Sequence, residues 1–492
     1  MRSVAPGILP AIALDRSVPK PLYQQICDGY REAIVERRLR GGQRLPSTRL
    51  LAAELKISRI PVLTAYDQLL AEGYFESRVG SGTFVSSSLP DDAGFLERPA
   101  ARQSPRRRGT RSTARRPAAL LPSAPEPWLG GSGAFRMSET AVDHFPFPIW
   151  ARLVARHSRG TGRGALSYGS AMGDMPFRQA LAAYLRTARA VRCEAEQIMV
   201  VSGSQQALEI AARVLLDPRQ PVWVEEPGYR GARHALAMAG ARLVPVPVDH
   251  EGLDVAAGIK KCRRARAAYV TPSHQYPLGA TMSASRRLQL LDWAQASGSW
   301  IIEDDYDSEY RYESQPIAAL QGLDRDARVV YTGTFSKVLF PALRVGYLVV
   351  PTDLVDRFRA VREAMDICPP ALGSAVLTDF ISEGHFARHL RRTSLLYRER
   401  RSALVEELRH ELGPLLQVVG AEAGIHLVAL CDRTGDRSIS QRAAREGLWA
   451  MPLSACYLGA PLHHGLVLGY GGTSVAEMPA AVRRLRRLIG TT

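Results

Sequence analysis

Lysine is scarce in this chain: the 64 basic residues include only Lys20, Lys56, Lys260, Lys261 and Lys337. Lys337 lies in GTFSKVLFPALRVGY, residues 333–347, directly after the apolar run ARVVYT. A lysine amine can condense with an aldehyde, and a phosphorylated aldehyde also needs hydroxyls and a planar cation to anchor its phosphate. Thr334 and Ser336 supply hydroxyls, and Arg344 supplies a two-pronged fork. Upstream, an apolar strand beginning at Trp300 ends in EDDYDSEYRY, which places carboxylates at the strand edge where α/β sheets hold ligands. There Asp304 is predicted to pair with a protonated pyridine nitrogen, and Tyr306 to bond the phenolic oxygen of the same ring. Earlier still, IMVVSG turns into the helix SGSQQALEIAARVLL. A glycine-hydroxyl turn at a helix N-terminus offers free amides and a favourable dipole, so Ser204 and Gln205 are predicted to cradle the phosphate. No histidine stands at ligand spacing beside the acidic run, so no metal site is expected.

These groups need elements to position them. With 492 residues, 46% hydrophobic, the chain is too long for one ordinary domain and can bury a large core. Residues 140–492 alternate apolar strands with amphipathic helices, the pattern of an α/β layer fold with a mostly parallel sheet. Residues 15–87 read differently. An amphipathic helix is expected from Leu22 to Arg38, a short helix capped by Ser47 with Leu50, Leu51 and Leu55 inward, and a third helix capped by Ser58. The buried side of the third is Val62, Ala65, Tyr66, Leu69 and Leu70. YFESRVGSGTFV around Gly80 then reads as a β-hairpin. Two short helices joined by a tight turn and followed by such a wing make a helix-turn-helix.

Between the two blocks, residues 88–139 are expected to form a flexible linker. Within it, Arg98 to Ala118 hold eight arginines and no acid in 21 residues, half of the net charge of +16. Such a polycation strengthens any nucleic-acid contact made beside it. No apolar run is long enough for a membrane span, and the N-terminus lacks a charged segment followed by a full apolar stretch, so a cytoplasmic protein is expected. The six cysteines are widely separated without a CxxC pair, which predicts buried thiols rather than disulfides or zinc.

The order PLYQQI, LPSTRLLAAELKISR, AYDQLLAEGYFESRVGSGTFV resembles the winged helix-turn-helix of the GntR family of bacterial regulators over about 65 residues. The resemblance implies operator DNA as a partner. Arg49 and Arg59 match the family's DNA contacts, Ser58 would donate to a phosphate, and Gly80 would let the wing tip approach the minor groove. Ile60, Pro61 and Leu63 depart from the small polar residues usual there. Fewer donors imply either reading through thymine methyls and shape, or reliance on linker and dimer contacts.

The later motifs resemble a fold-type I pyridoxal-phosphate enzyme of the aminotransferase class. With FPFPIWARL, EEPGYRG and TPSHQYPLG added, they are similar to the MocR-type regulators, which join such a winged helix to this fold. That similarity implies a small α+β winged helix-turn-helix domain followed by a large α/β aminotransferase-like domain holding pyridoxal phosphate. It further implies that Tyr229 stacks on the ring, that His274 and Gln275 lie near its face, and that Tyr168 reaches the phosphate of a neighbouring subunit in a homodimer. The arginine that usually clamps a ligand carboxylate is replaced by Ala455 in PLSACYLG, leaving Arg230 or Arg233 as substitutes. The expected function is transcriptional regulation with pyridoxal phosphate or a small amino compound as effector and little or no turnover. The alternative is an active aminotransferase carrying a DNA-binding domain.

Overall fold

Ser47 accepts a hydrogen bond from the Leu50 N–H (3.2 Å) and so starts the second helix of the N-terminal unit, as its hydroxyl predicts. In this computed structural model, which describes residues 12, 14–87, 126–137, 139–159, 167–312, 317–431 and 435–490, the chain forms two compact units that divide near residue 112.

The first unit contains α1 (Leu22–Val35), α2 (Thr48–Glu54) and α3 (Arg59–Ala71), then a hairpin of β1 (Phe75–Arg78) and β2 (Gly82–Val85). Its core is Ile26, Cys27, Tyr30 and Ala33 of α1 against Leu51, Val62, Ala65, Tyr66 and Leu69, closed by Phe75 and Val85 of the wing. Tyr30, Tyr66 and Phe75 meet edge to face, with centroids 5.1–5.9 Å apart. Lys56, at φ 52°, makes the tight turn between α2 and α3. Four details differ from the sequence reading. The first helix ends at Val35, three residues short of Arg38. Leu50 is 43% exposed while Ala52 takes the buried place, because a seven-residue helix presents only a narrow inward stripe. Leu55 and Leu70 are half-buried. Ser58 stands at the N-cap position of α3, but its side chain makes no capping bond.

The second unit is built on an eight-stranded sheet. Its strands are β3 (Ile198–Val201), β4 (Pro221–Glu226), β5 (Arg242–Asp249), β6 (Gly252–Leu253), β7 (Ala267–Val270), β8 (Trp300–Asp305), β9 (Val329–Thr334) and β10 (Gly346–Val349), in the order β3-β10-β9-β8-β7-β4-β5-β6. The run from β9 to β5 is parallel, and β10 and β6 are antiparallel to their neighbours. The central strands are buried throughout, which explains their continuous apolar runs. A second, four-stranded antiparallel sheet comprises β11 (Gln417–Val419), β12 (His426–Cys431), β13 (Met451–Pro452) and β14 (His464–Gly469), in the order β11-β12-β14-β13.

The expected linker is shorter than 88–139 at its C-terminal end. Trp128 is buried against Val428, Met451, Leu453 and Val467, and Phe135 is fully buried and bridges to Gly469. An aromatic pair in a Pro- and Gly-rich stretch marks this docking, because burying each ring removes a large apolar area from water. The arginine-rich segment lies outside the described residues. Four thiols (Cys27, Cys193, Cys431 and Cys456) are buried as expected, and Cys262 and Cys368 are half-buried. Among the described residues, no helix is long and apolar enough to cross a membrane.

Candidate functional site

Gly346, the first residue of β10, pairs with both Val201 at the end of β3 and Thr334 at the end of β9. A side chain there would come within 2.9 Å of the Gly203 Cα and the Gly333 carbonyl oxygen, so only glycine lets these strand ends close. The closure brings three distant segments together: Gly203–Ser204 at the start of a helix over Ser204–Leu215, Thr334–Lys337 in the turn after β9, and Arg344 just before β10. They surround a cavity of about 250 Å³ that is also lined by Met137, Tyr229, Tyr269, Tyr276, Asp304, Tyr306, Asp307, Pro341, Ile425 and His426.

At its anion end, Gly203 holds φ 105° at the helix N-cap, and a Cβ there would lie 3.1 Å from Nη2 of Arg344. The Arg344 guanidinium makes no hydrogen bond or ion pair among the described residues, and the first amides of a helix have no intrahelical acceptor. Thr334 Oγ1 accepts from the Ser336 N–H (3.1 Å) and fixes the turn that carries Lys337. This collection of donors fits a phosphate. Gln205 does not line the cavity. Its side chain donates to the Gly231 carbonyl (3.0 Å), which leaves only its backbone amide for the expected cradle.

EDDYD distributes its acids by strand alternation and by what each meets. Glu303 accepts from the backbone N–H groups of Leu320 and Gln321, both at 2.8 Å. Asp305 is held by Arg189 and by the Tyr331 hydroxyl at 2.6 Å. Asp304 and Asp307 both line the cavity, and among the described residues each keeps one buried oxygen without a partner: Tyr269 donates to Asp304 Oδ2 (2.8 Å) and leaves Oδ1, while His274 meets Asp307 Oδ1 and leaves Oδ2. Burial, reinforced by Asp305 and Asp307, pushes Asp304 up to about 7, against the lowering effect of the Tyr269 bond. A buried carboxylate oxygen in want of a donor fits a protonated ring nitrogen. Lys337 has no hydrogen bond or ion pair among the described residues, and burial lowers its amine to about 8 although Asp307 and Asp304 pull it upward.

His274 is not at the cavity wall. It lies behind it, with Nδ1 2.9 Å from Oδ1 of Asp307 and 3.1 Å from the Tyr306 hydroxyl. Burial alone would raise Asp307, but the adjacent His274 holds it below the usual carboxylate range. Gln275 likewise turns away, donating to Glu225 and to the Pro227 carbonyl. The cavity wall is instead completed by His426, buried and lowered to about 3, and by Tyr276, whose ring meets Tyr229 edge to face at 5.5 Å. Met137, Tyr269, Tyr276, Asp307, Pro341, Ile425 and His426 were missed by sequence reasoning. Two signals were available: a hydroxyl in the otherwise apolar strand AAYV, and a histidine opening the apolar strand HLVALC. Tyr168 is 79% exposed and away from the cavity of its own chain.

Beside this cavity, and sharing Met137, Tyr229 and Tyr276 with it, a second space of about 370 Å³ contains Ala455. Arg230 on its wall forms an ion pair with Glu126, and Arg136 approaches Glu139 at 3.7 Å. Arg233 is buried, donates to the carbonyls of Gly228 and Ala455, and stands 3.9 Å from Glu226. In the small unit, Arg49, Ser58, Arg59 and Gly80 are all exposed, and Arg59 Nε donates to Thr48 Oγ1 at 3.1 Å.

Two family models match the chain: "Bacterial regulatory proteins, gntR family" over residues 22–85 and "Aminotransferase class I and II" over 134–485. It is 41% identical to the probable rhizopine catabolism regulatory protein MocR of Rhizobium meliloti, over 96% of this chain and 95% of that one. It is 32% identical to the pyridoxine biosynthesis transcriptional regulator PdxR of Corynebacterium glutamicum, over 94% of each. The kynurenine aminotransferase of Pyrococcus horikoshii, solved with PMP, superposes on it with a TM-score of 0.67 at 26% identity, covering 74% of this chain and 90% of that one. The large unit is thus a pyridoxal-phosphate-binding fold-type I domain, and the small one binds DNA. The chain belongs to the MocR-type transcriptional regulators.

Proposed function

We propose that this regulator works as a homodimer on two operator half-sites, and that its operator affinity follows what occupies the cavity around Lys337. One observation carries the reading: a cationic fork, a nucleophilic amine and orphaned carboxylate oxygens converge on one cavity with no partner among the described residues. When bound, pyridoxal phosphate supplies an aldehyde and an electron-withdrawing ring. Lys337 presents its amine to the aldehyde, and Asp304 Oδ1 accepts from the ring nitrogen. Tyr306 bonds the phenolic oxygen, with His274 and Asp307 fixing its hydroxyl from behind, and Tyr229 covers the ring. Arg344, Ser204, Thr334, Ser336 and the Gln205 amide hold the phosphate, joined by the partner's Tyr168. In the small unit Arg49, Arg59, Ser58 and Gly80 contact DNA. A dimer is favoured because one winged helix offers a small interface, and two half-sites multiply affinity.

Two effectors fit the names of the relatives, one tied to rhizopine catabolism and one to pyridoxine biosynthesis. The space around Ala455 favours a small amino compound seated beside the cofactor, since pyridoxal phosphate itself does not need that room. With Ala455 in place of a clamp, Arg230 paired with Glu126, and Arg233 buried outside the lining of this space, an α-carboxylate is poorly held, so little transamination of common amino acids is expected. Gel-shift titrations of cofactor-free, cofactor-loaded and amine-supplemented protein on its operator test this. A shift on cofactor loading alone identifies pyridoxal phosphate as effector, and a shift only with added amine identifies the amine. Identical affinity in every state, or multiple turnovers with an amino acid and a keto acid, overturns the regulatory reading.

A further inference from the structure

The outward side of α3 is apolar at its leading end. The helix buries Val62, Ala65, Tyr66 and Leu69, and on the other side Ile60 is 73% exposed and Leu63 37% exposed. The two stand three residues apart and therefore share a face. After Arg59, little in this turn can donate a hydrogen bond. Pro61 has no N–H, and Thr64 spends its hydroxyl proton on the Ile60 carbonyl at 3.1 Å. A single exposed isoleucine is ordinary on a protein surface. Two on the first turns of the second helix of a helix-turn-helix are not, because those turns enter the major groove. Arg59, directly before Ile60, and Arg49, one residue after the Thr48 that Arg59 bonds, are both exposed cations, and the Nε bond to Thr48 leaves both Nη groups of Arg59 available; Asp67, one turn beyond Leu63, is the exposed acid of this helix face. A strip of apolar surface led by arginine complements a duplex, whose phosphates take the charge and whose thymine 5-methyl groups are the apolar features of the major groove.

We infer that Ile60 and Leu63 read thymine methyl groups, so that each operator half-site requires thymines beneath these two side chains. Three residues of helix advance about 4.5 Å, between one and two base steps of about 3.4 Å, so the two thymines lie in neighbouring or next-but-one positions. The inference concerns which bases are read, and it stands apart from the effector proposal.

The test uses the full-length protein. Selection from a randomised duplex library gives the preferred site, and each selected thymine is then replaced by deoxyuridine, which removes the methyl group and nothing else. The expected result is thymine enrichment at two such positions per half-site and about a fourfold loss of affinity per methyl removed, the equivalent of re-exposing one buried carbon. Ile60→Ala should lose sensitivity to deoxyuridine at one of the positions while keeping its pyridoxal phosphate absorption. The inference is overturned if no thymine is enriched or if thymine and deoxyuridine sites bind the wild type equally. It also fails if Ile60→Ala weakens both sites by the same factor, as it would were this face to contact protein instead. Because the methyl group is removed from the DNA, the result does not depend on the variant folding.

Discussion

Tyr269 donates its hydroxyl to Oδ2 of Asp304 at 2.8 Å, and Oδ1 of the same carboxylate is buried with no partner among the described residues. The tyrosine therefore both aims the free oxygen and favours its ionised form. Burial sets Asp304 near 7, and its ionised form is the one that holds a protonated ring nitrogen, so cofactor affinity should fall as pH drops through that value. Tyr269→Phe removes a lowering contribution and should move this loss to higher pH, with a roughly tenfold or greater weakening at pH 7 from one lost charge-assisted bond. Absorbance titrations of pyridoxal phosphate between pH 6 and 9 would show it. An unchanged pH profile would mean that Tyr269 does not position Asp304.

Attachment at Lys337 should have a pH dependence of the opposite origin. The free amine is the nucleophile, and burial brings its titration down to about 8, so attachment should accelerate as pH rises through 8 and level off above. Asp307→Asn removes a charge that supports the ammonium form and should shift the midpoint lower. Lys337→Ala should abolish both the visible absorption of the loaded protein and covalent capture by borohydride. Persistence of either would reject Lys337 as the attachment point.

Gly203→Ala should weaken the phosphate end. At φ 105° a side chain is strained, and its Cβ would stand 3.1 Å from Nη2 of Arg344. A cost of about 1–3 kcal/mol is expected for the backbone alone, with a further loss of cofactor affinity if Arg344 is displaced. Thermal melting of the cofactor-free protein reads the first effect, and cofactor titration reads the second.

On the DNA side, Arg59→Ala should reduce operator affinity by about five- to a hundredfold, the range for one bidentate contact, without altering the cofactor spectrum. Equal affinity for operator in a gel shift would remove Arg59 from the recognition surface.

Replacing the eight arginines of Arg98 to Ala118 with serine should lower DNA affinity and flatten its dependence on salt, since fewer counterions are released. Equal slopes of log affinity against log salt for the two proteins would reduce the segment to a spacer.

Local chemistry made much of this protein legible in its sequence. A serine hydroxyl three residues before a backbone N–H can cap a helix, so Ser47 and the order of helices, turn and wing could be read directly, whereas Ser58 stands three residues before Pro61, which has no N–H to donate, and makes no cap. A scarce lysine between hydroxyls and an arginine, following one apolar strand, likewise marked Lys337, Thr334, Ser336 and Arg344. An acid at the end of another apolar strand marked Asp304. Tertiary structure decided which atoms were already engaged. His274 faces Asp307 and Tyr306 rather than the cavity, Gln205 turns to Gly231, and Arg230 meets Glu126 across more than a hundred residues of sequence. Trp128 and Phe135 read as linker until the four-stranded sheet covered them. Spacing along the chain reports a residue's type and its local face. Partners brought together by strand pairing between remote segments fix burial, charge balance and the direction of a side chain, and those follow only from the closed fold.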